Sequence, residues 1–221
     1  MAKLVWDQTG ERIYETGTDH GVIYPVDSDG AYPTGVAWNG LTGVDENPSG
    51  ADATKIWADN INYITMYSAE EFGFTIKAYT YPDEFAVCDG SAEPVSGLRM
   101  NLQTRKGFGF VYRTLKGNDT DGTDYGYLLH LCYGCKASPS AKSYATVNDS
   151  PDAIEFSWEV TTTPVVVNDT YKPTSQIVID STKVDANKLT ALEAVLFGSV
   201  AEDAKLPTPA EVISIISTGS M

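Results

Sequence analysis

The stretch from residue 39 to residue 60 reads NGLTGVDENPSGADATKIWADN, and the interpretation of the whole chain depends on it. Three glycines and Pro48 interrupt it, and it lies between two segments that we predict to be strands. A connection this long with little internal structure is uncommon in a compact domain. When it occurs, it is usually a binding loop or a disordered one.

The apolar residues of this stretch favour the binding loop. Leu41, Val44, Ile56 and Trp57 are costly to leave in water, because exposed apolar surface carries a penalty of roughly 25 cal/mol per Å². We therefore predict that the loop at 39–60 docks on another molecule, and that this molecule is another copy of the same chain. Disorder is the alternative that the sequence leaves open.

Length and composition describe a globular chain of 221 residues, of which 42% are hydrophobic. No internal repeat or break in composition divides it, so we predict a single domain over residues 1–221. No apolar run approaches the roughly 18 residues of a membrane helix, and we expect no membrane partner. The first residues, MAKLVWDQTGERIYE, lack the apolar core of a signal peptide, so we expect no secretion by that route.

The charge balance is strongly acidic, with 30 acids against 15 bases and a formal net charge of −15. Such a surface repels polyanions. It argues against a nucleic-acid binder of the usual basic kind, because neutralising phosphates requires Lys and Arg.

One segment departs from this balance, since residues 94–118 contain five bases and no acid. The simplest interpretation is a solvated strand face. The sharper one is a basic edge that meets an acidic edge of a neighbouring subunit. The residues of this predicted inter-subunit basic edge are Arg99, Arg105, Lys106, Arg113 and Lys116.

The hydrophobic pattern predicts a mainly β fold, a sandwich or barrel. Apolar residues alternate with other residues over 72–81, 106–114 and 154–160, the period of a strand with one buried face. Leucines at helical spacing after Asp185 predict an α-helix over 186–197 that packs on the sheets. A capping-box sequence, TPAE, predicts a short helix or turn over 208–217.

The residues that carry chemistry are sparse, and we expect no enzyme, cofactor or metal. The chain has two histidines, and nothing in the sequence places either beside a nucleophile. Cys132 and Cys135 form a CxxC pair that could bind zinc together with Cys88, but a second paired ligand motif is missing. We predict that these three cysteines are reduced and lie in the core or in turns.

Acidic motifs offer two further possibilities. The sequences DSDG at 27–30 and DTDG at 119–122 resemble calcium loops, but neither has the acids that an EF-hand needs at positions one and twelve. Both are typical of hairpin turns. Neighbouring acids such as Glu70 and Glu71 could serve a glycoside hydrolase, yet such pairs are expected in a chain this acidic.

Taken together, long stretches of the sequence resemble the major tail tube protein of long-tailed, non-contractile bacteriophages, particularly those of Gram-positive hosts. The resemblance covers nearly the whole chain. The segments that carry it are KLVWDQTGERIYETGTDHGVIYP (3–25), AWNGLTGVDENPSGADATKIWADNINY (37–63), EEFGFTIKAYTYPDEF (70–85), FSWEVTTTPVV (156–166), TSQIVID (174–180) and LTALEAVLFG (189–198).

The resemblance implies a tail-tube-type β-sandwich or barrel with one packed helix and a long inter-ring loop. It implies hexameric rings, stacked into the tube of a virion that is assembled in the host cytoplasm. Its partners would be further copies of itself and the tape measure, tail terminator and distal tail proteins. Double-stranded DNA would pass through an acidic lumen without specific binding. Our candidates for the strands of the inner barrel are 61–67, 72–81 and 106–114, and those for ring stacking are Leu41, Val44, Ile56 and Trp57.

Three other functions remain open. The chain could be a baseplate or decoration protein of a virion. It could be a β-sandwich that binds carbohydrate through exposed aromatic rings, although the expected absence of secretion argues against this. It could also be a glycoside hydrolase that uses a pair of acids.

Overall fold

The computed structural model describes residues 3–146, 153–200 and 202–218. The strands in these residues are β1 Tyr14–Pro25, β2 Val36–Trp38, β3 Leu41–Glu46, β4 Ser49–Gly50, β5 Ala53–Ala58, β6 Ile61–Tyr67, β7 Glu70–Glu71, β8 Gly73–Ala78, β9 Ala92–Val95, β10 Leu98–Met100, β11 Phe108–Asn118, β12 Gly122–Ala137, β13 Phe156–Thr162 and β14 Gln176–Asp180. The helices are α1 Ala186–Phe197 and α2 Pro209–Thr218, and a 3₁₀ turn covers Asp83–Val87.

Eight strands form one antiparallel sheet in the order β2-β1-β11-β12-β13-β8-β3, with β14 also paired to β12. Within the described residues the order runs from β2 to β3 and does not close into a barrel. Three two-stranded ribbons lie outside this sheet: β4 with β7, β5 with β6, and β9 with β10.

The sheet changes partners along β12. Residues 128–132 of β12 pair with β14, whereas residues 135–137 pair with β13. Gly134 lies between the two stretches with a φ of 59°, and its carbonyl accepts a hydrogen bond from the Thr163 amide at 2.9 Å. A residue without a Cβ is required there, because a Cβ would lie 2.1 Å from the Thr163 carbonyl oxygen.

The two halves of the sheet fold over each other and enclose an aromatic core. Phe74 of β8 and Phe110 of β11 are separated by two strands in the sheet, yet their rings stack at 5.9 Å. Trp38 of β2 similarly meets Trp158 of β13 at 5.4 Å. These contacts are possible only if the β13-β8-β3 half packs face to face on the β1-β11-β12 half, as in a sandwich.

The outer face of β1, β11 and β12 is covered by the two helices. Leu189, Leu192 and Leu196 of α1 and Ile215 of α2 lie in a second core cluster, with alternate residues such as Val111 of β11. Because neighbouring strand residues point to opposite faces, these central strands bury both faces. Helix α1 begins where the sequence predicts, and the side chain of its N-cap Asp185 accepts from the backbone amides of Asn187 and Lys188.

The prediction of a mainly β fold with a packed helix is therefore confirmed, with two differences. The short helix or turn predicted over 208–217 is the helix α2, Pro209–Thr218, and it packs on the sheet as a second helix beside the one that was expected to do so. Of the three predicted barrel strands, 61–67 lies outside the main sheet, whereas β8 and β11 lie in it with two strands between them. In the described part of the chain, no helix has the length and apolarity that crossing a membrane requires.

Candidate assembly surface

The predicted loop at 39–60 is the first half of one long β-hairpin. Its outgoing side is β3, β4 and β5, and its returning side is β6, β7 and β8. The pairs follow each other from Leu41 with Ala78, through Ser49 with Glu71, to Ala58 with Ile61. The stretch is therefore neither a loop nor disordered. The proline and glycine residues at its centre interrupt the pairing between its two sides but do not end it.

The outer part of this hairpin, residues 53–67, is here called the arm. Its two strands pair with each other and, among the described residues, with no other strand. Every residue of β5 and six of the seven in β6 are exposed. An isolated two-stranded hairpin is at best marginally stable in water, so the arm is a surface suited to a partner.

Both faces of the arm carry apolar side chains. Residues directly opposite each other in an antiparallel pair share a face, so Ile56 and Ile64 project on one side, and Trp57 projects on the other. Trp57 is 66% exposed and Tyr67 is 71% exposed. The exposed large apolar residues of the arm are Ile56, Trp57, Ile61, Tyr63, Ile64, Met66 and Tyr67.

A two-residue turn, Asp59 and Asn60, forms the tip of the arm. Both residues have positive φ, 49° and 61°, which is the requirement of the type I′ turn that matches the twist of a hairpin. Asp and Asn tolerate this conformation better than other residues with a side chain. The Asp59-Asn60 pair lies between two runs of β-branched and aromatic residues. This pattern is the signal that could have revealed the hairpin from the sequence.

The root of the hairpin is attached to the sheet through Glu46, the last residue of β3. Its carboxylate accepts hydrogen bonds from the Tyr112 hydroxyl at 2.6 Å and from the Gln176 side-chain amide. Nδ1 of His130, whose ring stacks on that of Tyr112, lies 3.6 Å from the same carboxylate. Burial lowers the pKa of His130, although Glu46 and Glu15 oppose this effect. The arm thus extends from a root that is fixed to β11, β12 and β14.

The four predicted stacking residues separate into two pairs. Leu41 and Val44 lie in β3 at the edge of the main sheet, partly buried against the aromatic core. Ile56 and Trp57 lie in the arm and are exposed. The first pair therefore serves the fold of the chain itself, and only the second pair lies on a surface open to a partner.

The five predicted bases do not form one free edge. Arg113 of β11 donates two hydrogen bonds of 2.7 Å to the carboxylate of Asp19 in β1. Lys116, also in β11, donates one of 2.6 Å to Asp180 in β14. The acids of flanking segments reach these bases because the sheet brings distant parts of the chain together, which a scan of local charge cannot detect.

Two further bases are paired with acids of residues 83–89, outside the main sheet. Arg99 of β10 forms an ion pair with Asp83, and Nη1 of Arg105 lies 3.5 Å from Asp89. Lys106 is exposed, and in the described part of the chain it forms no ion pair. Of the predicted basic edge, Lys106 alone has no acid partner among the described residues and is left for an acid of a neighbour.

A second group of exposed apolar residues lies in the segments that precede Lys106. Hydrogen bonds join the segments that build it, from the Lys106 amide to the Val87 carbonyl at 3.1 Å and from Gln103 to Gly90 at 3.0 Å. We call this surface the ledge. It consists of Val87, Val95, Leu98, Met100, Leu102 and Lys106, and each of the five apolar members is at least 42% exposed.

The cysteines lie in the core rather than in a reactive site. Cys88, Cys132 and Cys135 are free and buried in the aromatic cluster. Burial raises the pKa of Cys88 to about 12 and raises those of Cys132 and Cys135 as well. Thiols in this state are poor nucleophiles and poor metal ligands. Among the described residues, no group of three or more metal-ligating side chains is close enough to hold an ion.

The comparisons with known proteins give little direct information. No family model and no curated protein matches the chain. Among solved structures, the chain is similar to one in the cryo-EM structure of an extracellular contractile injection system, the PVC sheath-tube complex in its extended state. The TM-score is 0.32 and the identity 12%, over 73% of this chain and 88% of the other. A similarity this low carries no conclusion about function.

Proposed function

We propose that this protein is a structural subunit that assembles with copies of itself into the tail tube of a bacteriophage virion. In this role, hexameric rings stack through the arm, and the tube conducts DNA during ejection. The tape measure, tail terminator and distal tail proteins are its further partners, and the role is structural rather than catalytic. The observation that carries the proposal is the arm, an extended hairpin with apolar side chains on both faces that no other described part of the chain covers.

Energetics supports a partner for the arm. Fully burying one large apolar side chain contributes about 1.5–3 kcal/mol, and the arm exposes seven such residues. Soluble monomers rarely expose a contiguous apolar patch of this kind unless it is an interaction site. A second copy is the natural partner, because every subunit then offers one arm and covers another.

The charge supports a conduit. Each subunit has a formal charge of −15, and double-stranded DNA carries one negative charge per roughly 1.7 Å of its axis. A tube wall built from such subunits repels a passing duplex. The proposed wall therefore guides DNA without binding it.

A truncation of the arm tests the proposal. The Ser68 amide donates to the Asp52 carbonyl at 3.1 Å, and Ser68 Oγ accepts from the Asp52 amide at 2.9 Å. Replacing residues 53–67 by Asn-Gly would therefore close the hairpin at this pair with a favoured turn. A deletion over 43–53 is unsuitable, since it would remove most of β3 from the main sheet.

We expect the wild-type chain to form rings and tubes in negative-stain electron microscopy, and the truncated chain to remain folded and monomeric. Circular dichroism and thermal unfolding check the fold of the variant. Tubes of normal length from the truncated chain would refute the role of the arm. A wild-type chain that sediments as a monomer at every concentration would refute the assembly itself.

A second candidate function rests on Trp57, Tyr63 and Tyr67. Exposed aromatic rings on a β-scaffold also suit stacking on the apolar faces of sugars. A glycan array with wild-type protein and a Trp57→Ala variant distinguishes this function. Binding that the substitution abolishes would favour carbohydrate recognition over assembly.

A further inference from the structure

We propose that the ledge of one copy receives the arm of the next copy, with Asp59 at the tip of the arm placed against Lys106. This inference rests on the proposed function. It adds the receiving surface, which no comparison supplies, and a specific ion pair at its centre.

The positions of the two surfaces carry the first step. Strand β8 begins at Gly73, the end nearer to the arm in the hairpin, where it pairs with Thr161. It ends at Ala78, which pairs with Phe156. The chain then enters the 3₁₀ turn and the ledge, and Arg99 of β10 donates to the Tyr81 hydroxyl at 3.0 Å, three residues beyond β8. The arm and the ledge therefore lie beyond opposite ends of β8.

Surfaces at opposite ends of one subunit suit a head-to-tail contact. A contact of this type uses two different patches on each copy and repeats without limit unless the rotation closes it. Copies related in this way would stack along one direction, with each arm reaching the ledge of its neighbour. A contact between two arms would instead end after two copies.

The chemistry of the two surfaces carries the second step. The arm offers large rings and β-branched residues, whereas the ledge offers smaller and more adaptable side chains such as Leu98 and Met100. Flexible apolar side chains adapt readily to the shape of an inserted aromatic ring. Among the described residues these are the two hairpin surfaces outside the main sheet with several exposed large apolar side chains.

The charges carry the third step. Asp59 is the acid at the tip of the arm, is exposed, and has no ion pair among the described residues. Lys106 is the base of the ledge, likewise exposed and unpaired. In a chain with twice as many acids as bases, an unpaired base on an apolar surface is well placed to select an acidic partner. Complementary charges at such a contact set its register more than its affinity.

A charge exchange tests the pair. Asp59→Lys and Lys106→Glu each place like charges together, and the double variant restores an opposite pair with the order reversed. We expect each single variant to raise the concentration needed for assembly by about threefold to tenfold, since an exposed pair and its reversal differ by an amount of this order. The double variant is expected to return to within about twofold of the wild type.

A matched control separates the effect of net charge from that of position for Asp59→Lys. Asp29→Lys changes the charge by the same amount in an exposed turn far along the chain from the arm, and is expected to leave assembly unchanged. Sedimentation velocity and electron microscopy measure assembly, and thermal unfolding confirms that each variant is folded.

The outcomes separate the two proposals. Two outcomes would overturn the pairing of arm and ledge while leaving the proposed tube intact. In the first, the wild type forms tubes and the single variants assemble normally. In the second, the double variant fails to assemble like the single variants. A wild-type chain that never assembles would overturn the proposed function and this inference with it.

Discussion

Strands β11 and β6 share a type of composition and have opposite surroundings. Both are rich in β-branched and aromatic residues, the composition that favours a pleated strand. In β11 the residues Phe108, Phe110 and Val111 are fully buried, because the aromatic core covers one face and the helices cover the other. In β6 the residues Ile61, Tyr63 and Ile64 lie in the exposed arm.

The difference shows that composition specifies a strand but not its partner. The strands of the main sheet, here called the body, are covered by other parts of the chain. Their apolar residues therefore stabilise the folded monomer. The arm strands have no such cover among the described residues, so the free energy of burying their apolar residues is available only on contact with another molecule. Substitutions in the body should therefore change stability, whereas those in the arm should change assembly.

The largest loss of stability is expected for Trp158→Ala in β13. The indole is fully buried and meets the rings of Trp38, Tyr81 and Phe85 at 5.3–5.4 Å. Removing it leaves a cavity, and such substitutions lower the free energy of unfolding by about 3–5 kcal/mol. Urea unfolding followed by circular dichroism measures this change. Trp158→Phe is the milder comparison, because it keeps an aromatic ring in the core and removes an indole N–H that has no hydrogen-bond partner among the described residues. A loss for Phe as large as that for Ala would contradict the cavity argument.

A smaller loss is expected for Gly134→Ala, where β12 passes from β14 to β13. The added Cβ would meet the Thr163 carbonyl oxygen at 2.1 Å, and φ there is 59°. Strain of this kind costs roughly 1–3 kcal/mol. Gly50→Ala in β4 is the matched comparison, since its Cβ would lie 2.2 Å from the Ala69 carbonyl oxygen at a φ of 83°. Equal losses in the free energy of unfolding would show that the hairpin root and the body unfold as one unit.

Sequence reasoning succeeds where the partner of a residue is close in the chain. The alternation of Trp158 and Val160 with exposed neighbours, and the capping residue Asp185, are local patterns and predict β13 and α1 correctly. Strand β6 was predicted over 61–67, but its pairing with β5 was missed. The outgoing side of the hairpin contains proline and glycine and has the composition of a loop, and its Asp59-Asn60 turn lacks the glycine that marks most such turns. The pairs of Arg113 and Lys116 were missed because their acids are distant in sequence.

A loss of similar or smaller size is expected on acidification, through the pair of Lys116 and Asp180. Burial alone would raise the pKa of Asp180, but hydrogen bonds from Lys116 and Thr182 outweigh it and lower the pKa to about 2. A carboxyl whose folded pKa is lowered stabilises the fold above its ordinary pKa of 3.8 and loses this contribution as the pH falls towards about 2.

The contribution should be about 1.5–3 kcal/mol, the range for a hydrogen bond to a charged group. The measurement is the free energy of unfolding at pH 5 and at pH 2.5, in the wild type and in Asp180→Asn. The drop between the two pH values should be smaller in the variant, because Asn does not titrate. An equal drop in both proteins would assign the acid sensitivity to other carboxyls. Since the pair joins β11 to β14, its loss belongs to the body and should leave the arm unaffected.

The smallest change in stability is expected for Trp57→Ala in the arm, although this residue has the same side chain as Trp158. Exposed substitutions away from caps and special backbone usually change the free energy of unfolding by less than about 0.5 kcal/mol. Assembly should nevertheless suffer, because aromatic anchors that become buried contribute most to an interface. Losing about 1.5–3 kcal/mol of burial raises the concentration needed for assembly by roughly 10- to 100-fold.

Tyr144→Ala supplies the control, since Tyr144 is as exposed as Trp57 and lies outside the arm and the ledge. Sedimentation velocity over a dilution series measures the concentration needed for assembly. This concentration should be the same for Tyr144→Ala as for the wild type, and far higher for Trp57→Ala than for either. If Trp57→Ala instead lowers stability by several kcal/mol, the arm packs against its own chain in solution. The contrast between a covered body and an uncovered arm would then be lost, and with it the reason to expect a second copy at this surface.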